Sequence, residues 1–349
     1  MKKFRDLVVM ISAPGGQFIP GLIACLRENG ERNIKIIGVD MDKDDSILQM
    51  VDNYYVVPRA NDPKYVETVL EICKKEKVDV YLPVMSAELQ KLLYNKDRFE
   101  AIGTKVSVSE GDAVKIATDK LALYDFMAEN NLNPPKYKRV NNIEEMKNAF
   151  VELGYPQNAV CVKATQSSGS RGIRIVDPKK SRYDILFNEK PNSFFISYEE
   201  LIGILSEKDT MPEMMAMEYL PGMEYSVDLL AENGKILYIA GRESNVNLAS
   251  IPQIATLAKN DEAYDIATRV IEKLKLDGNA DLDFKFDAEG HPVLMEINPR
   301  IAATMQIFMQ GGLNLPYLRI KHLLGEELPK IDIKYGVKMH RRYIEMFSK

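Results

Sequence analysis

The chain has 349 residues, long enough for two or three domains, and a formal charge of -5 without any dense Lys/Arg block, which removes the electrostatic case for nucleic acid. Its three cysteines, Cys25, Cys73 and Cys161, lack the CxxC spacing of a zinc or redox site, so buried thiols in a reducing cytoplasm are expected. No apolar run approaches the roughly 20 residues that span a bilayer, which argues against a membrane protein.

The opening segment MKKFRDLVVMISAPGG has only a short apolar run, followed by Pro14-Gly15-Gly16, and suits a first strand better than a secretory leader. LVVMISA (7–13), IKIIGV (34–39) and VDVYLPV (78–84) read as strands, with FIPGLIACLREN and PKYVETVLEICKKEK as intervening helices. This alternation predicts an α/β N-terminal domain with a parallel, Rossmann-like sheet. Gly15, Gly16 and Gly21 do not have the GxGxxG spacing, so no dinucleotide is assigned. Ligands are expected beyond the C-terminal strand ends, near residues 14–17, Asp40 and residues 85–88.

A helix is predicted over 119–130, stopped by Asn130-Asn131 and Pro134-Pro135. Beyond it the strands come in hairpin-like pairs, 159–164 with 172–176, 214–219 with 224–231, then 235–240, and 280–286 with 292–298. This is an α+β pattern, and DEAYDIATRVIEKLKL is an amphipathic helix within it.

Between two of these strands, KATQSSGSRGIRI (163–175) is built from glycines and small hydroxyl residues that can open backbone N–H groups to an anion. Lys163 and Arg171 add positive charge, although a plain hairpin tip has the same composition. MAMEYLPGMEYSVDLL (215–230) turns at Pro221-Gly222, where a departing strand can offer its backbone to a purine edge and Glu224 can accept from ribose. The strand ADLDFKF puts Asp281, Asp283 and Lys285 on one face, and VLMEINPR does the same with Glu296, Asn298 and Arg300. As antiparallel neighbours these strands would bring Asp283 beside Glu296 and Asn298, a hard-oxygen set of the kind Mg2+ takes with nucleotide phosphates. Arg242 in AGRESNVN, Gly15-Gly16 and Glu88 are candidate substrate contacts.

Taken together, ATDKLALYDFM, VCVKATQSSGSRGI, MEYLPGMEYSVD and MEINPR resemble, in that order, the motifs of the ATP-grasp superfamily, and within it proteins similar to the carbamoyl-phosphate synthase large chain. The resemblance covers nearly the whole chain. It implies an ATP-grasp fold after the N-terminal domain, with domains at 1–112 and 113–325, a lid subdomain at about 136–220, and a C-terminal tail, 326–349, packed on the core. It implies that Lys120 and Lys163 contact nucleotide phosphates and that Ser168, Gly169, Ser170, Arg171 and Gly172 close over them. Glu218, Tyr219 and Leu220 would hold the adenine and Glu224 the ribose. Asp283, Glu296 and Asn298 would bind two Mg2+, with Mn2+ as an alternative ion. Arg300 would serve catalysis by steadying the transferred phosphoryl group and the acyl phosphate formed from it; Arg242, as a candidate substrate contact, is the second candidate catalytic residue.

Two departures matter: Ala164 stands where the family commonly has proline, and Asp283 where carbamoyl-phosphate synthase has glutamine. The chain also has one such unit rather than two, and no glutaminase nucleophile motif. The expectation is therefore a cytoplasmic, stand-alone ATP-dependent carboxylate-amine ligase acting through an acyl phosphate on small-molecule carboxylate and amine substrates, with a homodimer as its assembly. The alternatives are a subunit of a split carbamoyl-phosphate synthase and a nucleotide-binding regulatory module without turnover.

Overall fold

The computed structural model describes residues 4–165, 172–190, 193–248 and 251–348. The chain divides into two compact units, one of Met1–Thr118, Glu224–Phe284 and Glu296–Lys349, the other of Asp119–Met223 and Lys285–Met295.

In the first unit, β1 (Leu7–Ser12), β2 (Ile34–Asp40), β3 (Asn53–Val56), β4 (Val80–Leu82) and β5 (Lys105–Val106) form a parallel sheet in the order β3-β2-β1-β4-β5. The three longest apolar runs supply its centre, as expected. β3 and β5 were not foreseen: NYYV is only partly buried and β5 has two residues, too little of either signal to register. The helix Ile19–Arg27 buries Leu22, Ile23, Cys25 and Leu26, which fall on one stripe. The helix Tyr65–Glu76 is ended by Lys77, whose φ of 53° takes the left-handed conformation of a helix C-terminus. β2, β3 and β4, β5 lie on opposite sides of β1, so the strand order reverses between β1 and β4.

In the second unit, β6 (Tyr137–Val140), β7 (Val160–Ala164), β8 (Arg174–Val176) and β9 (Met214–Glu218) form an antiparallel sheet in the order β6-β9-β7-β8. Val140, Met146, Phe150, Val160, Val162 and Ala216 are central to its core. The expected pairing of 159–164 with 172–176 is present as β7 and β8. The expected hairpin of 214–219 with 224–231 is not: β9 pairs with β6 and β7, and residues 224–232 belong to another sheet. Residues 214–217 are all buried, so this strand is apolar on both faces and sits inside a sheet with a neighbour on each edge. Pro221-Gly222 is therefore a crossing between sheets rather than a hairpin turn. Gly222 donates its N–H to the Phe286 carbonyl at 2.9 Å, and a Cβ there would stand 2.6 Å from the Phe286 Cβ, so only glycine fits this approach.

The third sheet has six strands in the order β14-β13-β10-β11-β12-β15: β10 (Glu224–Glu232), β11 (Lys235–Leu248), β12 (Ile251–Leu257), β13 (Gly278–Phe286), β14 (Pro292–Asn298) and β15 (Lys338–His340). β13 and β14 are neighbours, as expected. β11 runs well past the residue-240 limit expected for it, and β12 and β15 are additional. The amphipathic helix spans Asp261–Leu274, starts where the Asn260 side chain accepts from the Ala263 N–H at 2.9 Å, and packs on β10 and β11. Leu230, Ala240, Leu257, Ile301 and Phe308 join the apolar face of the parallel sheet in one core, onto which Leu328, Ile331, Ile333 and Val337 pack. Among the described residues no helix is long and apolar enough to cross a membrane.

Candidate functional site

The six-stranded sheet of the first unit places charged and neutral polar side chains on four adjacent strands: Glu296 and Asn298 on β14, Asp281 and Asp283 on β13, Ser226 and Asp228 on β10, and Arg242 on β11, with Arg300 just beyond β14. Within each strand these residues are two apart, so they share a side, and Ser226 lies directly opposite Arg242 in the β10–β11 register. Asp228 and Asp281 are at the bottom of the group, 1 % and 5 % exposed, while Asp283, Glu296, Asn298 and Arg300 are half-buried.

Arg242, 4 % exposed, lies with its Nε 3.5 Å from Asp228 Oδ2 and its Nη2 3.5 Å from Asp281 Oδ1. These are ion pairs at a distance too long for good hydrogen bonds. Both oxygens of Asp228, Oδ1 of Asp281 and Nε of Arg242 are buried without a hydrogen-bond partner. Ser226 Oγ donates to Asp283 Oδ1 at 2.6 Å. The Asn298 amide directs Nδ2 toward both Asp281 Oδ2 and Asp283 Oδ2, at 3.4 Å each, and its Oδ1 accepts from Arg300 Nη2 at 3.0 Å. A second nitrogen of Arg300, Nη1, donates to the Ile301 carbonyl at 3.1 Å.

Burial raises the carboxyl pKa of Asp228 and Asp281 to about 7 each, against the opposing pull of Arg242. Burial, then the charges of Asp281 and Glu296, raises Asp283 to about 8. For Arg242 burial works against the charged form, but the surrounding carboxylates outweigh it and the guanidinium is held more firmly protonated. A face of crowded, desolvated oxygen ligands fits a hard cation such as Mg2+, which is the chemistry the orphaned oxygens of Asp228 and Asp281 also call for. Among the described residues no three His, Cys, Asp or Glu side chains converge tightly enough to share one ion as they stand.

Sequence reasoning placed Asp283, Glu296, Asn298 and Arg300 together, and the fold does bring them to adjacent strands. It gave no role to Asp228 and Asp281. Their strand alternation was visible, but the adjacency of β13, β10 and β11 that buries them against Arg242 is a tertiary fact. Arg242, two residues past the strand expected over 235–240, lies inside a strand instead, in the middle of β11, as the partner of two aspartates.

In the second unit, Lys163 is 7 % exposed and projects from the side of β7 that carries Cys161, opposite the side that carries Val160 and Val162. Its charge and that of Lys285 draw down the Cys161 thiol, which burial raises more strongly. Glu218 ends β9 with its carboxylate accepting from the Lys136 N–H at 2.8 Å. Tyr219 is flanked by the Phe195 ring at 6.2 Å and by Lys285 Nζ, 5.6 Å from its centroid, and Leu220 is buried. Lys120 opens the helix Lys120–Glu129, which is capped by Asp119. Gly172 has φ +71°, and a Cβ on it would meet the Ala164 Cβ at 2.7 Å. Ser168, Gly169, Ser170 and Arg171 lie outside the described residues.

Glu224, in the first unit, is exposed at the start of β10. Glu88 does not present itself to a ligand: it is 1 % exposed and accepts from Ser12 Oγ, the Tyr65 and Tyr81 hydroxyls at 2.5 Å each and the Met85 N–H at 2.9 Å. A fully satisfied carboxylate of this kind ties β1, β4 and the helix Ser86–Tyr94 together at the point where strand order reverses.

Residues 210–343 match a family model described as "ATP-grasp in the biosynthetic pathway with Ter operon", and residues 11–107 match one described as "PylC-like, N-terminal domain". The carbamoyl phosphate synthase large chain of Clostridium acetobutylicum is 23 % identical over 299 residues, covering 81 % of this chain and 26 % of that protein. The chain thus spans about a quarter of the length of that relative. Among solved structures, an N5-carboxyaminoimidazole ribonucleotide synthetase in its ADP complex is 17 % identical with a TM-score of 0.66, covering 96 % of this chain and 80 % of that one. The biotin carboxylase domain of the Hydrogenobacter thermophilus 2-oxoglutarate carboxylase, bound to ADP, magnesium and bicarbonate, is 16 % identical with a TM-score of 0.68, covering 95 % and 73 %. The fold is the ATP-grasp fold preceded by a parallel α/β domain.

Proposed function

We propose that this chain, with its ATP-grasp fold and its similarity to carbamoyl phosphate synthase large chains, is an ATP- and Mg2+-dependent ligase that joins a carboxylate to an amine. The observation that carries this reading is the charged face of the six-stranded sheet, where hard oxygen ligands and a guanidinium meet on four adjacent strands. When bound there, Mg2+ would offset the charge of the nucleotide phosphates. Asp283, Glu296 and Asn298 are the proposed ligands. Arg300 has a planar fork that can hold oxygens of a transferring phosphoryl group and of the carboxylate receiving it. Phosphorylation of the carboxylate yields an acyl phosphate and ADP, and attack by the amine then expels phosphate.

In the second unit, Lys120 and Lys163 are proposed to hold nucleotide phosphates, with residues 168–172 closing over them. Glu218, Tyr219 and Leu220 are proposed for the adenine, and Glu224 of the first unit for the ribose. Arg242 is better read as a positioning residue for Asp228 and Asp281 than as a group touching substrate. The similar structures include an L-amino acid ligase from Bacillus licheniformis, at 14 % identity and a TM-score of 0.62, which supports amino acids as the first substrates to try. The test is release of ADP and phosphate by the purified protein with pools of amino acids; background rates with every pool would overturn the ligase reading in favour of a binding module.

A further inference from the structure

The least exposed arginines of the first unit, Arg32, Arg242 and Arg319, each stand in an ion pair with an acid. Arg341 differs: among the described residues no carboxylate acts on it. It is half-buried just after β15, and its backbone N–H extends the β12–β15 pairing by donating to the Gln253 carbonyl at 2.8 Å. Its Nε donates to the Pro252 carbonyl at 3.1 Å. Its Nη1 lies 3.5 Å from the Gln17 carbonyl, too far for a good bond, and Nη2 donates to none of the described residues. Burial and the positive charge of Arg242 both disfavour the protonated guanidinium, against the Tyr343 hydroxyl alone. A guanidinium stays charged all the same, so it is stabilised by any anion that reaches its open edge.

The fold places that edge where a ligand passes. Gln17 belongs to the loop that follows β1, and the strand order of the parallel sheet reverses beside β1, so this loop borders the crevice in which such sheets take ligands. On the six-stranded sheet, β15 is the edge opposite β14, so Arg341 stands at the far side from the carboxylates of β13 and β14. An anionic group repelled by those acids meets a cation there. The planar fork of an arginine offers such a group two parallel N–H donors, which suits a carboxylate.

We propose that Arg341 is a specificity-determining residue: through Nη1 and Nη2 it holds a carboxylate of the substrate that does not react, so that the chain selects an acid with two carboxylates over its monocarboxylate counterpart. The inference rests on the reading of the chain as a carboxylate-amine ligase and adds the charge of the acid. Arg341 is outside the set of residues implied by the family resemblance.

The experiment measures binding by isothermal titration calorimetry with ADP and Mg2+ present, using succinate, L-aspartate and L-glutamate, each beside its amide, succinamate, L-asparagine or L-glutamine. Wild type is expected to bind at least one dicarboxylate about tenfold or more tightly than its amide. R341Q should lose that preference, and R341K, which keeps the charge without the fork, should retain part of it. In ADP release with the preferred acid, R341Q should raise KM by about tenfold or more and leave kcat within about threefold. A wild-type chain that binds every dicarboxylate no better than its amide, or a preference that survives in folded R341Q, would overturn the inference. Binding of a dicarboxylate that depends on Arg341, without ADP release, would overturn the ligase reading and leave the anion site standing. ADP release with monocarboxylates alone would do the reverse. Should R341Q fail to fold, the wild-type comparison and R341K decide the proposal.

Discussion

Replacing Arg242 with methionine should destabilise the first unit strongly, because it removes a guanidinium within ion-pair reach of both Asp228 and Asp281. At 3.5 Å, each contact has a gross attraction of roughly 5 kcal/mol for an effective dielectric constant of about 20. Most of that is cancelled by the desolvation of three buried charges. Deleting one partner, however, leaves the other charges buried and unpaired, for which a cost of about 3–5 kcal/mol is typical. In a unit of this size that corresponds to a fall in Tm of roughly 6–20 °C. The chain contains no tryptophan, so near-ultraviolet circular dichroism of its tyrosines, or amide hydrogen exchange along β10, β11 and β13, is the assay of choice. Adding Asp228→Asn to Arg242→Met should recover part of the loss, with a coupling of about 1–3 kcal/mol in the double-mutant cycle. A single variant that melts within about 1 °C of wild type, or a double variant no better than the single, would refute the reasoning. If Arg242→Met kept its stability but lost turnover, Arg242 would return to the catalytic role that the sequence suggested.

Glu296→Gln should abolish ADP release while leaving the melting curve near that of wild type, since it removes a ligand's charge and no core volume; normal turnover would dismiss Glu296 as a ligand. Arg300→Lys keeps the charge but loses the fork, and should lower kcat by about 10² or more with little change in ATP affinity; a lower Tm with normal kcat would make Arg300 structural. Gly241→Ala would place a Cβ 1.8 Å from the Tyr225 hydroxyl, which donates to the Ala258 carbonyl at 2.8 Å, and should cost roughly 2–4 kcal/mol as that ring is driven off its bond, read as a lower urea midpoint. Burial raises the Cys25 and Cys73 thiols to about 12 from an ordinary value of 9. A native pKa above the unfolded one gives stability that is complete below pH 9 and lost as pH rises toward 12, at about 1.4 kcal/mol per unit for each thiol. The urea midpoint should therefore fall between pH 9 and 11, and fall less in Cys25→Ala; equal slopes in the two proteins would contradict this.

The parallel sheet was legible because LVVMISA, IKIIGV and VDVYLPV are apolar on both faces and separated by stripes of helical period, two signals that agree. β3 and β5 escaped because partly buried or two-residue strands have almost no pattern. β12 escaped because IPQIATL has a proline and a glutamine in it, although Pro252 is tolerated within the strand. The error at 214–231 came from reading a Pro-Gly pair as local punctuation when the decision was tertiary: β9 had partners on both edges already. The polar face of β14 was legible as alternation on one side of the strand, and β13 was legible as its neighbour from the short gap between 286 and 292. The depth of Asp228 and Asp281 was not, since alternation gives the side of a strand and not which strands will cover it. Glu88 looked like a ligand at a strand end and is a helix-capping carboxylate, a distinction that depended on Tyr65 and Tyr81 arriving from elsewhere in the fold.

The placement of β15 sets an order on the birth of the molecule. Ile254, Ala255 and Thr256 of β12 pair with His340, Met339 and Lys338, so the outer edge of the six-stranded sheet is covered by residues made more than 80 positions later. As the chain leaves the ribosome, β10, β11 and β12 can assemble while that edge is still a row of unmatched backbone groups, a template for any passing strand. Loss of the segment from Lys338 onward would make this interval permanent. Nascent and truncated chains would then share one hazard, sticking edge to edge with each other, which three residues of β15 end in the finished protein.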